Sequence, residues 1–421
     1  MPPLRVLVVG ASIAGPTAAY WFARAGAKVT VIERFPHLRT NGQNIDIRTV
    51  GVTVMRKMPG MEEAVRAKTI PLKCIAAVRS DGRPFGVIST TGNPDQQSLV
   101  SEFEIYRGDL SQILYDRTHA HPNITYIFGE QVASIQQHDQ ADGPVKVEFA
   151  SGSPTMEFDL VVSCDGATSR TRAIGLGVGM RDYLEPTGTW AAFFSAKQDL
   201  LDGNNKMGKA YNAVGGRIIA AGPDPSGVSR VVLMKRYAQK DSSATQPFRD
   251  AMNQGGDALR QFVAQTYRGA GWKCDEVIKD MMEAEDFYAS EIVHVKVPRL
   301  SKGRFVLVGD AGYAASTGTG TSLAMAGAYV LAGEVCKHKG DLAGALQGYE
   351  DVMRPLIDDM QKVPPLLPVF FTPQTAWGLW LRNMVFAFVC WSGILSLTQK
   401  FFSGAFAGTE RYQLPQYEWQ E

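Results

Sequence analysis

Residues 6–9 form an unbroken apolar run, VLVV. It is followed by GASIAG and then by an alanine-rich stretch, 14–25, carrying Tyr20, Trp21 and Phe22. A run of this kind predicts a parallel strand buried on both faces. The alanine-rich stretch predicts a helix that Gly26 ends, and residues 28–32 read as a second strand closed by Glu33. Short apolar runs recur at 159–163 (DLVVS) and 304–308 (RFVLV). Between 188 and 237 the pattern changes. TWAAFFSA, RIIAAGP and SRVVLMKRY are strand-length segments separated by Gly and Pro, which predicts an antiparallel sheet and a second architecture within one chain.

The intervening segments fill in the order of elements. Residues 45–48 alternate like a short strand after the Asn41-Gly42 turn signal, and 49–67 reads as a helix with Val52, Val54, Met55 and Met58 inward. Residues 72–91 predict a hairpin around Asp81-Gly82, and 103–106 a strand before a helix reaching Arg117, with Asp109 as its N-cap. Strands are expected at 124–128 and 132–135, a hairpin at 145–158, a helix at 248–267 and a strand at 291–297. Helices follow at 322–335, made mostly of small residues, and at 342–360. Four prolines, Pro364, Pro365, Pro368 and Pro373, then break the chain before the most apolar run, 384–397. That run is short of the ~20 residues needed to cross a bilayer. It is read as a buried helix across a domain junction, with membrane association as the alternative.

Chemistry enters at the first turn. Gly10, Ser12 and Gly15 stand at the spacing of a dinucleotide-binding turn, placed between a strand and a helix, with Ile13 and Ala14 inside it. Gly10 permits a tight turn, and Gly15 lets the helix sit close to the strand. The free N–H groups and dipole of the helix start attract a pyrophosphate. Glu33, about twenty residues on, is placed to accept hydrogen bonds from a ribose diol. Ser12 replaces the middle glycine and narrows the phosphate approach.

Composition excludes more than it adds. The chain has 421 residues and a formal net charge of +1, which offers no steering toward nucleic acid. Its five cysteines are scattered and form no CxxC pair, as expected in a reducing compartment. His119 and His121 lie close together but in a loop-like context, and the histidines form no HExxH motif. The start of the chain runs straight into strand one, so a cytoplasmic protein is expected, with possible attachment to a membrane through the apolar C-terminal run.

Three motifs stand in order: Gly10-x-Ser12-x-x-Gly15 with Glu33 and Arg34, then Asp165-Gly166-x-x-Ser169-x-x-Arg172, then Gly309-Asp310-Ala311. Together they resemble the single-component FAD-dependent monooxygenases of the aromatic hydroxylase class, over most of the chain to about residue 360. GQNIDIR and GTSLAMAGAYVLAGE most resemble the tetracycline-inactivating and fungal secondary-metabolite branches. The resemblance implies an α/β fold: a Rossmann-like, GR2-type FAD-binding domain (1–70, 99–180, 295–362), an inserted and mostly antiparallel β-sheet substrate domain (71–98, 181–294) and a C-terminal helical segment (363–421).

It also implies roles. Glu33 would hold the adenosine ribose, and Arg34 would lie near the adenine. Arg107 would reach the ribityl–phosphate region, Asp310 would bond the ribityl chain, and Gly309 would give it room. Asp165 and Gly166 would sit near the pyrophosphate, in an area also linked to NAD(P)H. Asp46 would lie by the isoalloxazine edge, and Arg39 or Arg48 would steer the nicotinamide cofactor or the substrate. Gly318, Gly320, Thr321 and Ser322 would run past the flavin pyrimidine side. This segment departs from the family, with Tyr313 for a histidine and Ser322 for an asparagine. Arg48 and Tyr211 are the candidate catalytic residues. Tyr211, Tyr237 and Phe194 are read either as facing the substrate or as strand aromatics in the core, and Arg172 as a partner for Asp165.

The implied chemistry is reduction of FAD by NADPH or NADH, O2 addition to give a C4a-hydroperoxide, and oxygen transfer to an electron-rich small molecule. The alternatives are an FAD-linked dehydrogenase or reductase of a hydrophobic substrate, and a non-catalytic flavin-binding scaffold. A flavin halogenase is disfavoured by the missing WxWxIP signature.

Overall fold

The computed structural model describes residues 2–39, 42–90, 101–137, 143–204, 206–224, 227–238, 243–316, 318–363, 366–392 and 412–419. The predicted apolar runs stack as a six-stranded sheet in the order Ser301–Lys302, Phe305–Leu307, Leu160–Ser163, Arg5–Val9, Lys28–Glu33, Ile124–Phe128. All neighbours are parallel except the short first strand. Val6, Leu7, Val8, Val161 and Val162 are fully buried, which is why these strands carry no polar alternation.

Against this sheet packs the first helix, Ala14–Arg24, and against that helix the small-residue helix, Gly320–Lys337. Every residue from Ser322 to Glu334 is buried, because the helix is wedged among Ala14–Arg24, Val50–Arg56 and Leu342–Met360. Such close neighbours suit a helix in which Ala and Gly are frequent.

The second sheet has seven strands, in the order Tyr288–Val295, Leu184–Ala196, Ser229–Arg236, Arg217–Pro223, Met207–Ala213, Cys74–Val78, Pro84–Ser89. Its faces differ. Trp190, Ala192, Phe194, Ile219, Val231 and Leu233 are buried with residues of the helices Gln246–Gln254, Gly256–Tyr267 and Cys274–Glu283. Their cross-strand alternates Phe193, Ala220, Val232 and Met234 are half-buried on the opposite face, which the helices leave open.

Several expected elements are revised. The 49–67 helix is two, Val50–Arg56 and Met61–Arg66, because the chain turns at Pro59 and Gly60, the latter at φ +70. The 248–267 helix starts at Gln246 and breaks at Gly255, φ +114. Asp109 is no N-cap: the helix begins at Arg107 with Tyr106 as cap, and Asp109 sits in its first turn, 3.7 Å from Lys68. The helix Cys274–Glu283 was not expected; its inward Cys274, Val277 and Met281 follow helical spacing.

The apolar C-terminal run is not the buried helix that was expected. The helix Ala376–Trp391 turns Arg382 inward and leaves Trp377 69%, Trp380 58%, Phe388 58% and Trp391 83% exposed. Residues 393–397 of that run lie outside the described residues, as do Asn41, Thr91, His138 and Thr317. Among the described residues no helix is long and apolar enough to cross a membrane.

Candidate functional site

The three motif segments meet at the carboxyl ends of the parallel strands, where ligands bind in open α/β sheets. They line a cavity of about 280 Å³. Ser12, Ile13 and Ala14 come from the first segment, Cys164 and Gly166 from the second, and Asp310, Gly318, Gly320 and Thr321 from the third. Gln43 to Asp46 and Arg107 complete the wall.

Sterics explain the first turn. Gly10 has φ +107, and a Cβ there would lie 2.7 Å from the Cys164 carbonyl oxygen. A Cβ on Gly15 would lie 1.8 Å from the Gly10 oxygen, so helix and strand approach as closely as backbone permits. Gly309, at φ +67, lets the third segment pass between Ala14 and Ala324. Neither helix start in the cavity, at Ile13 or at Thr319, has a side-chain cap. The starts of two helices therefore face one space, which favours an anion.

A small cleft extends this cavity past Ala11, Ser12, Glu33, Leu38, Arg39 and Arg107. Glu33 accepts the Ala11 N–H at 2.9 Å and the Phe35 N–H at 3.1 Å, which fixes the carboxylate at the end of its strand. Arg107 donates through Nε to Ser12 Oγ at 3.1 Å. Burial, and then the positive charge of Arg107, push the Arg39 guanidinium below its ordinary pKa. Arg34 is exposed, its guanidinium 4.8 Å from the Phe35 ring centre.

Asp310 opens onto the cavity and is solvent-accessible through it. Burial pushes its carboxyl up, opposed by Arg107.

Other predicted residues support the site without entering it. Asp165 accepts from Ser163 Oγ and Ser169 Oγ, both at 2.6 Å, and from the Thr171 N–H at 3.2 Å, so its carboxylate holds the turn that presents Gly166. Arg172 does not pair with Asp165. Fully buried, it donates through Nη1 to the carbonyls of Ala167 and Ala311, both at 2.9 Å, tying the second segment to the third. Ser322 is buried and accepts the Arg48 N–H at 2.8 Å.

The two candidate catalytic residues fare differently. Arg48 pairs with Asp46 at 2.9 Å beside the cavity wall. Tyr211 does not line the cavity: its hydroxyl donates to the Ala270 carbonyl at 2.9 Å, and its ring packs near Trp272 against the helix-covered face. Phe194 and Tyr237 pack with the same core, and Tyr211 also lines a separate pocket beside the helix Ala376–Trp391.

The sequence reading missed Glu104. It lies opposite Asp46 in the antiparallel pair Asn44–Asp46 and Glu104–Tyr106, and accepts from Asn44 Nδ2. Burial and the facing Asp46 carboxylate push it up to about 7. A lone Glu in a three-residue strand carries no local signal. Gln43 and Asn44 also line a second cleft with Tyr106, Phe193, Val232 and Tyr288. There Phe193 and Tyr288 stack at 5.0 Å. This cleft joins the cavity wall to the open face of the seven-stranded sheet.

An elongated crevice with paired guanidiniums and two helix starts, and with the carboxylates Glu33 and Asp310 along it, suits an extended dinucleotide. Comparison with known proteins gives the same answer. Residues 3–345 match the family described as FAD binding domain. The monooxygenase CTB7 of Cercospora beticola is 33% identical, over 98% of this chain and 97% of its own. The FAD-dependent monooxygenase asL4 of Sarocladium schorii is 30% identical, over 91% and 92%. The crystal structure of the tetracycline destructase Tet(51) superposes with a TM-score of 0.76 at 28% identity, covering 99% of this chain and all of that one. The chain belongs to the FAD binding domain family and is an FAD-dependent monooxygenase of the aromatic hydroxylase type.

Proposed function

We propose that this enzyme takes electrons from NADPH or NADH and inserts one oxygen atom from O2 into a planar, electron-rich small molecule of aromatic, phenolic, polyketide-like or alkaloid-like character. The observation that carries the reading is the open apolar face of the seven-stranded sheet, joined to the cofactor cavity at Gln43 and Asn44. Phe193, Val232 and Tyr288 there offer apolar contact beside the Arg230–Asp286 ion pair, which suits a ring system carrying polar groups. The likeness to a tetracycline destructase supports a polycyclic substrate.

Bound FAD supplies hydride acceptance and O2 activation; the residues supply place and environment. Glu33 would hold the adenosine ribose, with Arg34 near the adenine. Arg39, Arg107, Ser12 and the N–H groups at Ile13 and Ala14 would hold the pyrophosphate. Asp310 would hold the ribityl chain. The backbone of Gly318, Gly320 and Thr321 would face the ring's pyrimidine side, and Asp46, held by Arg48, its edge. The apolar sheet face would exclude water from the reacting carbon and hold it within attack distance. No side chain is assigned as acid or base, since a phenolate or enolate substrate needs none.

The test is a screen of phenols and polycyclic enols for stimulated NADPH oxidation, followed by product mass. A gain of one oxygen atom supports the reading. Substrate oxidation with loss of hydrogen and no added oxygen would replace it with a dehydrogenase.

A further inference from the structure

Away from the cofactor cavity, a pocket of about 360 Å³ lies between the C-terminal helix Ala376–Trp391 and one end of the seven-stranded sheet. It shares no lining residue with the cavity or the cleft beside it. Arg382 is the one buried residue of that helix, 9% exposed, and its Nε and Nη2 have no hydrogen-bond partner among the described residues. The neighbouring Asn383 Oδ1 is also buried and unpartnered. Among the described residues the lining has a second arginine, Arg79, and no carboxylate; the rest is mainly apolar, including Phe85, Trp380 and Met384.

A guanidinium does not escape burial by losing its proton at working pH. Burial pulls Arg382 down to about 10, still charged near neutrality, with no compensating anion among the described residues. Retaining such a group is costly unless a counter-charge arrives. Nε–H and Nη2–H form one edge of the planar guanidinium, the edge that pairs side-on with a carboxylate or a similar two-oxygen anion.

We propose that this pocket is a second small-molecule site, taking an aromatic acid whose carboxylate or enolate pairs with Arg382 while an adjacent hydroxyl donates to Asn383 Oδ1. The apolar body lies against Phe85 and Met384, and Arg79 draws the anion to the mouth. The volume suits a bicyclic acid. The same chemistry serves the acidic group of a substrate or a separate regulatory acid. The inference does not depend on the proposed reaction.

The experiment is calorimetric titration of the FAD-loaded enzyme with 1-hydroxy-2-naphthoate and with its neutral carboxamide. The acid is expected to bind, the amide to bind about tenfold more weakly, and Arg382→Gln to weaken the acid about tenfold without affecting the amide. Equal affinity for both compounds, or for both proteins, overturns the site. Arg382→Met is the second arm. Its unliganded Tm is expected to match or exceed the parent's, and the naphthoate should no longer raise it; a Tm several degrees lower would make the guanidinium structural and overturn the proposal. NADPH oxidation separates the sources. A substrate acid shows a raised KM with unchanged kcat in Arg382→Gln, whereas a regulatory acid binds the parent without being oxygenated.

Discussion

At the scale of single residues, Asp310 and Glu104 have opposite histories. Asp310 announces itself in a motif, and the cavity reaches it. Asp310→Ala is expected to weaken FAD roughly 100-fold, because an anchoring carboxylate makes charge-assisted hydrogen bonds worth about 1.5–3 kcal/mol. Flavin absorbance after gel filtration checks this, and a fully yellow variant would remove Asp310 from the FAD site. Glu104 is silent in the sequence, and only strand pairing sets it against Asp46. Its carboxyl is raised from 4.5 to about 7, so the folded state holds a proton that the unfolded chain has released. Stability linked to this group is therefore fully present below the unfolded value and is lost as pH rises through 7. Glu104→Gln should abolish that part of the pH dependence. It should raise stability at pH 8 by on the order of 2–3 kcal/mol, read from urea midpoints at several pH values. An unchanged pH profile would show that Glu104 titrates normally.

At the scale of elements, the small-residue helix Gly320–Lys337 is the tightest joint. A Cβ on Gly327 would lie 1.9 Å from the Tyr313 hydroxyl and 3.3 Å from that of Tyr349. Those two hydroxyls are 3.2 Å apart, and Tyr349 also donates to the Leu307 carbonyl at 2.9 Å. Neither ring has room to retreat, since both are fully buried. Gly327→Ala is expected to cost about 1–3 kcal/mol despite alanine's better helix propensity. Chemical denaturation measures it, and a stabilised variant would mean the tyrosines yield freely. Element type was legible wherever burial on both faces leaves an apolar run, as at residues 6–9. Boundaries were not legible where a glycine at positive φ divides a helical pattern, as at Gly60 and Gly255. The 49–67 and 248–267 patterns continue across both breaks.

At the scale of the whole molecule, the last described segment closes the core. Trp419 packs 4.7 Å from Trp21, and Tyr417 donates to Glu334 Oε1 at 2.8 Å. Trp419→Ala is expected to cost about 1–3 kcal/mol, less than a fully buried Trp, because its indole is only partly covered. It should lower the thermal midpoint of the FAD-loaded enzyme, and an unchanged midpoint would show the tail to be detachable.

The chain by itself determined the parallel strands, the first turn and the acid that closes the second strand. These depend on neighbours in sequence: a run of apolar side chains, a missing Cβ, a carboxylate at a set distance. The expected meeting of the Gly10, Asp165 and Asp310 segments came from the family resemblance, and each of the three follows a strand of the one parallel sheet. Only the tertiary structure decided which face of a strand meets the helices, and so set Tyr211 away from the cofactor cavity. Only it set Glu104 against Asp46, turned Arg172 from Asp165 to Ala311, and buried Arg382 while exposing Trp377 and Trp391. Those outcomes depend on contacts between residues far apart in the chain. Alternation leaves two faces equivalent until something packs on one of them.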